Sequence, residues 1–381
     1  MMVAPKDFVR VLADGCVFFY AGVPDSLLKP FCTYLNELDS HQHIIAVNEG
    51  TAVSLATGVH LATGTVPLVY MQNSGLGNTI NPLLSLADPE VYSIPLVLLI
   101  GWRGEPGKKD EPQHVKQGRV TSALLKAMEI PYALLSGDAE EAAQIAQWAV
   151  NEAKKRSGPV AILAHKGAFD AVDDAPFHPD SVNLSLTRES AISTILDMLH
   201  PDVTVVSTTG MISRELYEQR AIKKQGRDSD FLTVGSMGHA SQIAMGIALS
   251  RPDQIVVCLD GDGASLMHLG GLATIGTEGI NNFLHIVLNN AAHDSVGGQP
   301  TVGFKVSLTA IANACGYTHV AGPVTSLEAI NEGLDLLNQV RGCRFLEVRV
   351  RPGARPNVGR PKEAPVENKK AFMERLGVPS S

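Results

Sequence analysis

Short apolar, β-branched runs return along this chain with stretches of helical character between them, and that alternation limits the fold more than any other feature. In the first half the runs are VFFY, HIIAV, PLVYM, PLVLLI and PVAIL; in the second they are VTVVS, FLTVG, IVVCL, LHIVL and FLEVRV. A strand that is apolar on both faces must be covered on both faces, and helical crossovers supply the cover. The pattern predicts an α/β protein built on doubly wound parallel sheets. Between His165 and Glu189 apolar density falls while Asp and Pro accumulate. This predicts a linker over 171–188, dividing one α/β domain at 1–170 from a second at 189–381. The closing stretch ENKKAFMERLG predicts a terminal helix stopped at Gly377.

Composition narrows the partners. A formal net charge of -8, with no block of Lys or Arg set against it, argues against a nucleic-acid footprint. The five cysteines, Cys16, Cys32, Cys258, Cys315 and Cys343, are far apart and never form CxxC, so they signal neither a zinc site nor a disulfide framework. A reducing cytoplasm suits that usage. Acidic and basic residues mix in the first fourteen positions, and no apolar run approaches the roughly 20 residues of a membrane span. The expectation is a cytoplasmic protein with no cleaved leader and no membrane contact.

Two strand candidates end in polar residues. IVVCL runs on to Gly261, Asp262 and Gly263, and LHIVL runs on to Asn289 and Asn290. In open parallel sheets ligands bind beyond the carboxyl ends of strands, where glycines allow close approach. A dinucleotide fingerprint is weakened by Leu266, which stands where G-x-G-x-x-G needs its third glycine, and GEPGKK lacks the spacing of a P-loop. The Asp262 carboxylate and the Asn290 amide oxygen, from neighbouring strand ends, suit a hard cation such as Mg²⁺ that also holds phosphate oxygens. Asp-Gly and Asn-Asn are equally common turn formers.

With 25 residues between GDG and NN and an apolar strand before each, the segment resembles the signature of thiamine diphosphate enzymes. The resemblance extends over essentially the whole chain, with no central domain between the two cofactor domains. It implies that Asp262, Asn290 and the backbone carbonyl of Ala292 bind Mg²⁺, with Gly263 and Ala264 at the diphosphate. In HIIAVNEGTAVSLATG, Glu49 follows a strand and opens a small-residue helix, and it resembles the glutamate that protonates the aminopyrimidine ring so that the cofactor ylid can form. Its alternative is a Glu favoured by a helix dipole. In GSMGHASQ the resemblance makes Met237 the wedge that bends the cofactor and the Gly235 carbonyl an acceptor, where Met237 could also be core filling. STTG brings Thr208 and Thr209 near the diphosphate.

Three segments, AGVPDSLLKPF, GWRGEPGKKDEPQHVKQGR and NNAAHDSVGGQPT, resemble the phosphonopyruvate decarboxylases, and the sulfopyruvate decarboxylases share part of the pattern. The implied reaction is non-oxidative decarboxylation of a small anionic 2-keto acid. Arg103, Lys108, Lys109, His114 and Lys116 lie on a loop after PLVLLI, where several could meet a phosphonate, and most charges on such a loop are simply solvated. Gln113 and His114 align with polar active-site positions of the family, Arg103 is a further substrate candidate, and Asp25 resembles a catalytic acid or else caps its turn. His293, catalytic, and Ser295, at the substrate, follow the metal ligands. The family also implies a homo-oligomer whose active site lies at a subunit interface.

Overall fold

The computed structural model describes residues 3–171 and 184–379. The chain forms two compact units, Met1–Pro176 and Phe177–Ser381. Most of the expected linker, 171–188, lies outside the described residues. Its last positions already belong to the second unit: Leu186 and Arg188 are buried, and Thr187 caps the helix Arg188–Met198 by accepting from the Ser190 amide.

The first unit holds strands β1 (Tyr20–Gly22), β2 (His43–Ile45), β3 (Leu68–Gln72), β4 (Leu96–Gly101), β5 (Tyr132–Leu135) and β6 (Pro159–Ala164). They form one parallel sheet in the order β2-β1-β3-β4-β6-β5. Central strands β4 and β6 are buried at every residue, as their continuous apolar sequence requires. Helices cover both faces, with a core around Phe8, Phe31 and Tyr70 on one side and around Val53, Leu98 and Leu163 on the other.

The second unit contributes β7 (Thr204–Ser207), β8 (Asp230–Leu232), β9 (Val256–Gly261), β10 (Asn282–Asn289), a two-residue antiparallel pair of β11 (Ala292–His293) and β12 (Gln299–Pro300), then β13 (His319–Val324) and β14 (Gly342–Arg349). Its parallel sheet runs β8-β7-β9-β10-β14-β13, the same winding as the first unit. The sequence runs match ten of the twelve sheet strands, some displaced by a few residues; β5 and β13 were not anticipated. In each unit the winding reverses between the first strand and the third, at β1/β3 and at β7/β9. Crevices beyond the carboxyl ends of strands at such reversals are where open α/β sheets bind ligands. The terminal helix is observed at Pro365–Arg375, and Gly377 follows it at φ +69°.

Candidate active site

Four strand ends of the first unit carry its chemistry. After β2, Asn48 caps the helix Glu49–Thr63, accepting from the Gly50 amide at 2.8 Å, so Glu49 occupies the first helical position. The Glu49 side chain turns inward and is 5% exposed. Its Oε2 accepts from Asn78 Nδ2 at 2.7 Å, and a Cβ placed on Gly75 would stand 2.5 Å from Oε1. Burial raises the Glu49 pKa, against the Asn78 bond that lowers it. A carboxyl held this way exchanges a proton more readily near neutrality than a solvated one. Asn78 and Gly75 come from the segment after β3 and carried no signal in the sequence reading.

Asp25 follows β1 and is fully buried against the end of β4, where a Cβ on Gly101 would collide with its carboxylate. Its Oδ2 accepts from the Leu27 amide at 3.1 Å and its Oδ1 has no hydrogen-bond partner among the described residues. Desolvation pushes its pKa up to about 6, with Arg103 pulling the other way. Arg103, after β4, is forked onto Asp110 at 2.9 and 2.5 Å and donates to Ser26 Oγ at 2.8 Å. The guanidinium expected to meet substrate is thus engaged by the chain itself, and Asp110 also accepts from the Gly104 amide. Lys108 pairs with Glu105 at 2.9 Å, so the acids of the basic loop offset part of its charge. Gln113 and His114 are the second and third residues of the helix Pro112–Ala127. His114 Nδ1 is buried without a partner among the described residues, and burial together with Arg103 pushes its pKa down to about 4, leaving a neutral imidazole.

In the second unit Asp262 opens the helix Asp262–Met267 directly after β9 and is 2% exposed. Its Oδ1 accepts from the Asn290 amide at 3.4 Å, and its Oδ2 accepts from the Thr301 hydroxyl. Burial pushes its pKa up to about 6, against the Thr301 and Asn290 hydrogen bonds that lower it. Asn290 Oδ1 accepts from the Ala292 amide at 3.1 Å, closing a turn through Ala291 at φ +54°, while its Nδ2 donates to Asp294 at 2.7 Å. Asp294 is in turn held by Arg188 at 2.7 Å. The sequence reading missed Thr301, Asp294 and Arg188; only the nearness of Asp294 to NN could have pointed to one of them.

Met237, Gly263 and His293 converge, since a Cβ on Gly263 would lie 3.3 Å from Met237 Cε and 3.1 Å from His293 Cε1. Burial lowers the His293 pKa to about 4, so its ring is neutral. Gly235 is half-buried one residue before Ser236, which has φ +55°. Ala264 is buried, and a Cβ on Gly238 would lie 3.0 Å from its carbonyl oxygen. Thr208 follows β7, is 3% exposed, and its Oγ1 has no partner among the described residues; Thr209 beside it is half-buried. Ser295 is exposed, with its Oγ 3.4 Å from a Cβ built on Gly210.

Residues 2–125 match the thiamine pyrophosphate enzyme N-terminal TPP binding domain, and residues 206–348 match the C-terminal TPP binding domain of the same enzymes. Fold and site together define a thiamine diphosphate-dependent enzyme. The chain is 36% identical to a phosphonopyruvate decarboxylase of Streptomyces viridochromogenes, covering 99% of this chain and 96% of that protein. Against a phosphonopyruvate decarboxylase of Streptomyces hygroscopicus it is also 36% identical, over 98% and 94%. A sulfopyruvate decarboxylase of Methanosarcina acetivorans is 30% identical over 97% of each chain. The chain belongs to the phosphonopyruvate decarboxylase family of thiamine diphosphate-dependent enzymes.

The residues present are suited to that cofactor. Asp262 is a buried carboxylate held by neutral donors, Asn290 and the chain at Ala292 add neutral oxygens, and hard oxygen donors of this kind suit Mg²⁺. The orphaned Thr208 hydroxyl and the bare α-carbon of Gly263 leave a donor and a space at the same end of the sheet.

Proposed function

We propose that the protein decarboxylates 3-phosphonopyruvate without oxidation, releasing CO₂ and phosphonoacetaldehyde, in the cytoplasm and in the service of phosphonate biosynthesis. The observation that carries this reading is identity at 36% along nearly the full length of two phosphonopyruvate decarboxylases, against 30% for the sulfopyruvate enzyme. Bound thiamine diphosphate supplies the electron sink that accepts the bonding pair left when CO₂ departs. Glu49, buried and steadied by Asn78, holds a proton at its carboxyl for the aminopyrimidine ring. Asp262, Asn290 and the Ala292 carbonyl would hold Mg²⁺, and Thr208, Thr209, Gly263 and Ala264 would surround the diphosphate. Met237 and the Gly235 carbonyl would set the bend of the cofactor. Asp25, with a pKa near working pH, and the neutral imidazoles of His114 and His293 are the groups that move protons at the substrate. Gln113 and Ser295 orient it, while Arg103, fixed by Asp110, lends its field to Asp25 and His114. The protein works as a homo-oligomer with its active site at a subunit interface, as the family resemblance implies.

The test is direct: protein loaded with Mg²⁺ and thiamine diphosphate releases CO₂ and phosphonoacetaldehyde in equal amounts from phosphonopyruvate, and chelation of the metal stops both. CO₂ without the aldehyde, or neither product, contradicts the reading.

A further inference from the structure

The arginines of the second unit are, with one exception, engaged or exposed. Arg188 is forked onto Glu215 and Arg220 onto Asp230. Arg214 is half-buried on the helix Met211–Ile222 and has no carboxylate, carbonyl or aromatic partner among the described residues. Glu218, one turn along and the natural i,i+4 partner, is taken by Arg355 and by the Gly359 amide at 2.6 Å. Burial alone acts on the Arg214 guanidinium, lowering its pKa, and no acid offsets it. A partly desolvated cation without a counter-charge is unfavourable unless a ligand provides one.

The surroundings give the sign and place of that ligand. The helix begins after Gly210, whose φ of 96° and ψ of -138° suit glycine and which offers no side-chain cap, so its amino end presents uncapped N–H groups. Thr208, two residues earlier, is more than nine-tenths buried with an unpartnered hydroxyl. Ser213, adjacent to Arg214, donates to the Thr208 carbonyl at 2.7 Å, tying the helix to that loop. Ile212 Cδ1 lies 3.3 Å from a Cβ built on Gly261, which sets the same helix end against the turn that carries Asp262. Uncapped amides and a free hydroxyl lie at this strand end, and Arg214, the fourth residue of the helix, adds a guanidinium from its first turn; together these are donors suited to a multiply charged oxyanion.

We propose that Arg214 anchors a phosphorus oxyanion at the amino end of this helix. The inference rests on the thiamine diphosphate reading, and two sources share the chemistry: the cofactor's terminal phosphate and the substrate's phosphonate. Full-length wild type, Arg214→Gln and Arg214→Lys are titrated by calorimetry with thiamine diphosphate and with inorganic pyrophosphate, both with Mg²⁺, and then with methylphosphonate on the cofactor-loaded protein. A charge-assisted bond of ordinary strength predicts at least roughly tenfold weaker binding in Arg214→Gln, partly restored in Arg214→Lys. Weakening of both diphosphates assigns Arg214 to the cofactor; weakening of methylphosphonate alone assigns it to the substrate. Unchanged affinity for all three in a folded Arg214→Gln protein overturns the proposal, and so does failure of both variants to fold, which would make Arg214 structural. Turnover of phosphonopyruvate by the wild type judges the substrate reading separately, because these titrations need no turnover.

Discussion

Replacing Asp25 by Asn separates what this carboxylate does for the reaction from what it does to the fold. Its side chain is fully buried at the end of β4, and desolvation lifts its pKa from 3.8 to about 6. A group whose pKa is raised by folding contributes its full stability below the unfolded value, and that contribution is lost as pH rises through the folded value. The displacement is about two pH units at ~1.4 kcal/mol each, so the ionised Asp25 costs the fold about 3 kcal/mol above about pH 7. Asn has no charge to bury, and its amide oxygen can still accept from the Leu27 amide. Asp25→Asn is therefore expected to raise stability by up to about 3 kcal/mol near pH 8 and by about half as much near pH 5. Turnover should fall by about a hundredfold or more, the usual scale for loss of a general acid or base. Urea denaturation followed by circular dichroism at both pH values, beside kcat of the loaded enzyme, reads the two effects. A variant that is less stable at the higher pH, or one that turns over normally, would refute the reasoning about this site.

The remaining predictions concern the cofactor. Glu49→Gln keeps the Asn78 contact but cannot exchange its proton, so thiamine diphosphate should bind with little change while exchange of its C2 proton slows by orders of magnitude; wild-type exchange, read by NMR after acid quench, removes the assignment. Asp262→Ala deletes the anionic oxygen donor of the proposed Mg²⁺ site and should weaken Mg²⁺-dependent binding of thiamine diphosphate strongly in a protein that still folds; unchanged affinity by calorimetry removes the metal site.

Features carried by local sequence were legible, and those formed by distant contacts were not. The apolar runs revealed ten of twelve sheet strands because central parallel strands are buried on both faces. β5 and β13 lie at sheet edges and are largely half-exposed; YALL is short and has no β-branched residue, and HVAGPV is broken by Gly and Pro, so neither shows the β-branched apolar run that marks the others. GDG and NN could be read because each is a short local cluster of glycine or polar residues at the carboxyl end of a buried strand, β9 at the winding reversal and β10 beside it. Asn78 reaches Glu49 from 29 residues away, and Thr301 reaches Asp262 from 39, so neither could be seen before the sheets were assembled. The partners of the basic loop were hidden for a related reason. Its charges were visible, but the folding of Arg103 back onto Asp110 depends on the turn at Gly104, φ +68°, which composition does not reveal.

The most direct measurement is kcat/KM for phosphonopyruvate, sulfopyruvate and pyruvate with the same Mg²⁺- and thiamine diphosphate-loaded protein, following CO₂ and aldehyde together. By analogy with phosphate esters a phosphonate carries between about one and two negative charges near neutral pH, against one for a sulfonate. One further charge-assisted hydrogen bond is worth ~1.5 to 3 kcal/mol, which predicts that phosphonopyruvate leads sulfopyruvate by roughly tenfold or more. Pyruvate should trail further, because it leaves the pocket's donors unpaired. Equal or better use of sulfopyruvate would contradict the account and make this a sulfopyruvate decarboxylase; better use of pyruvate would show that the donors assigned to the anionic group serve no substrate at all.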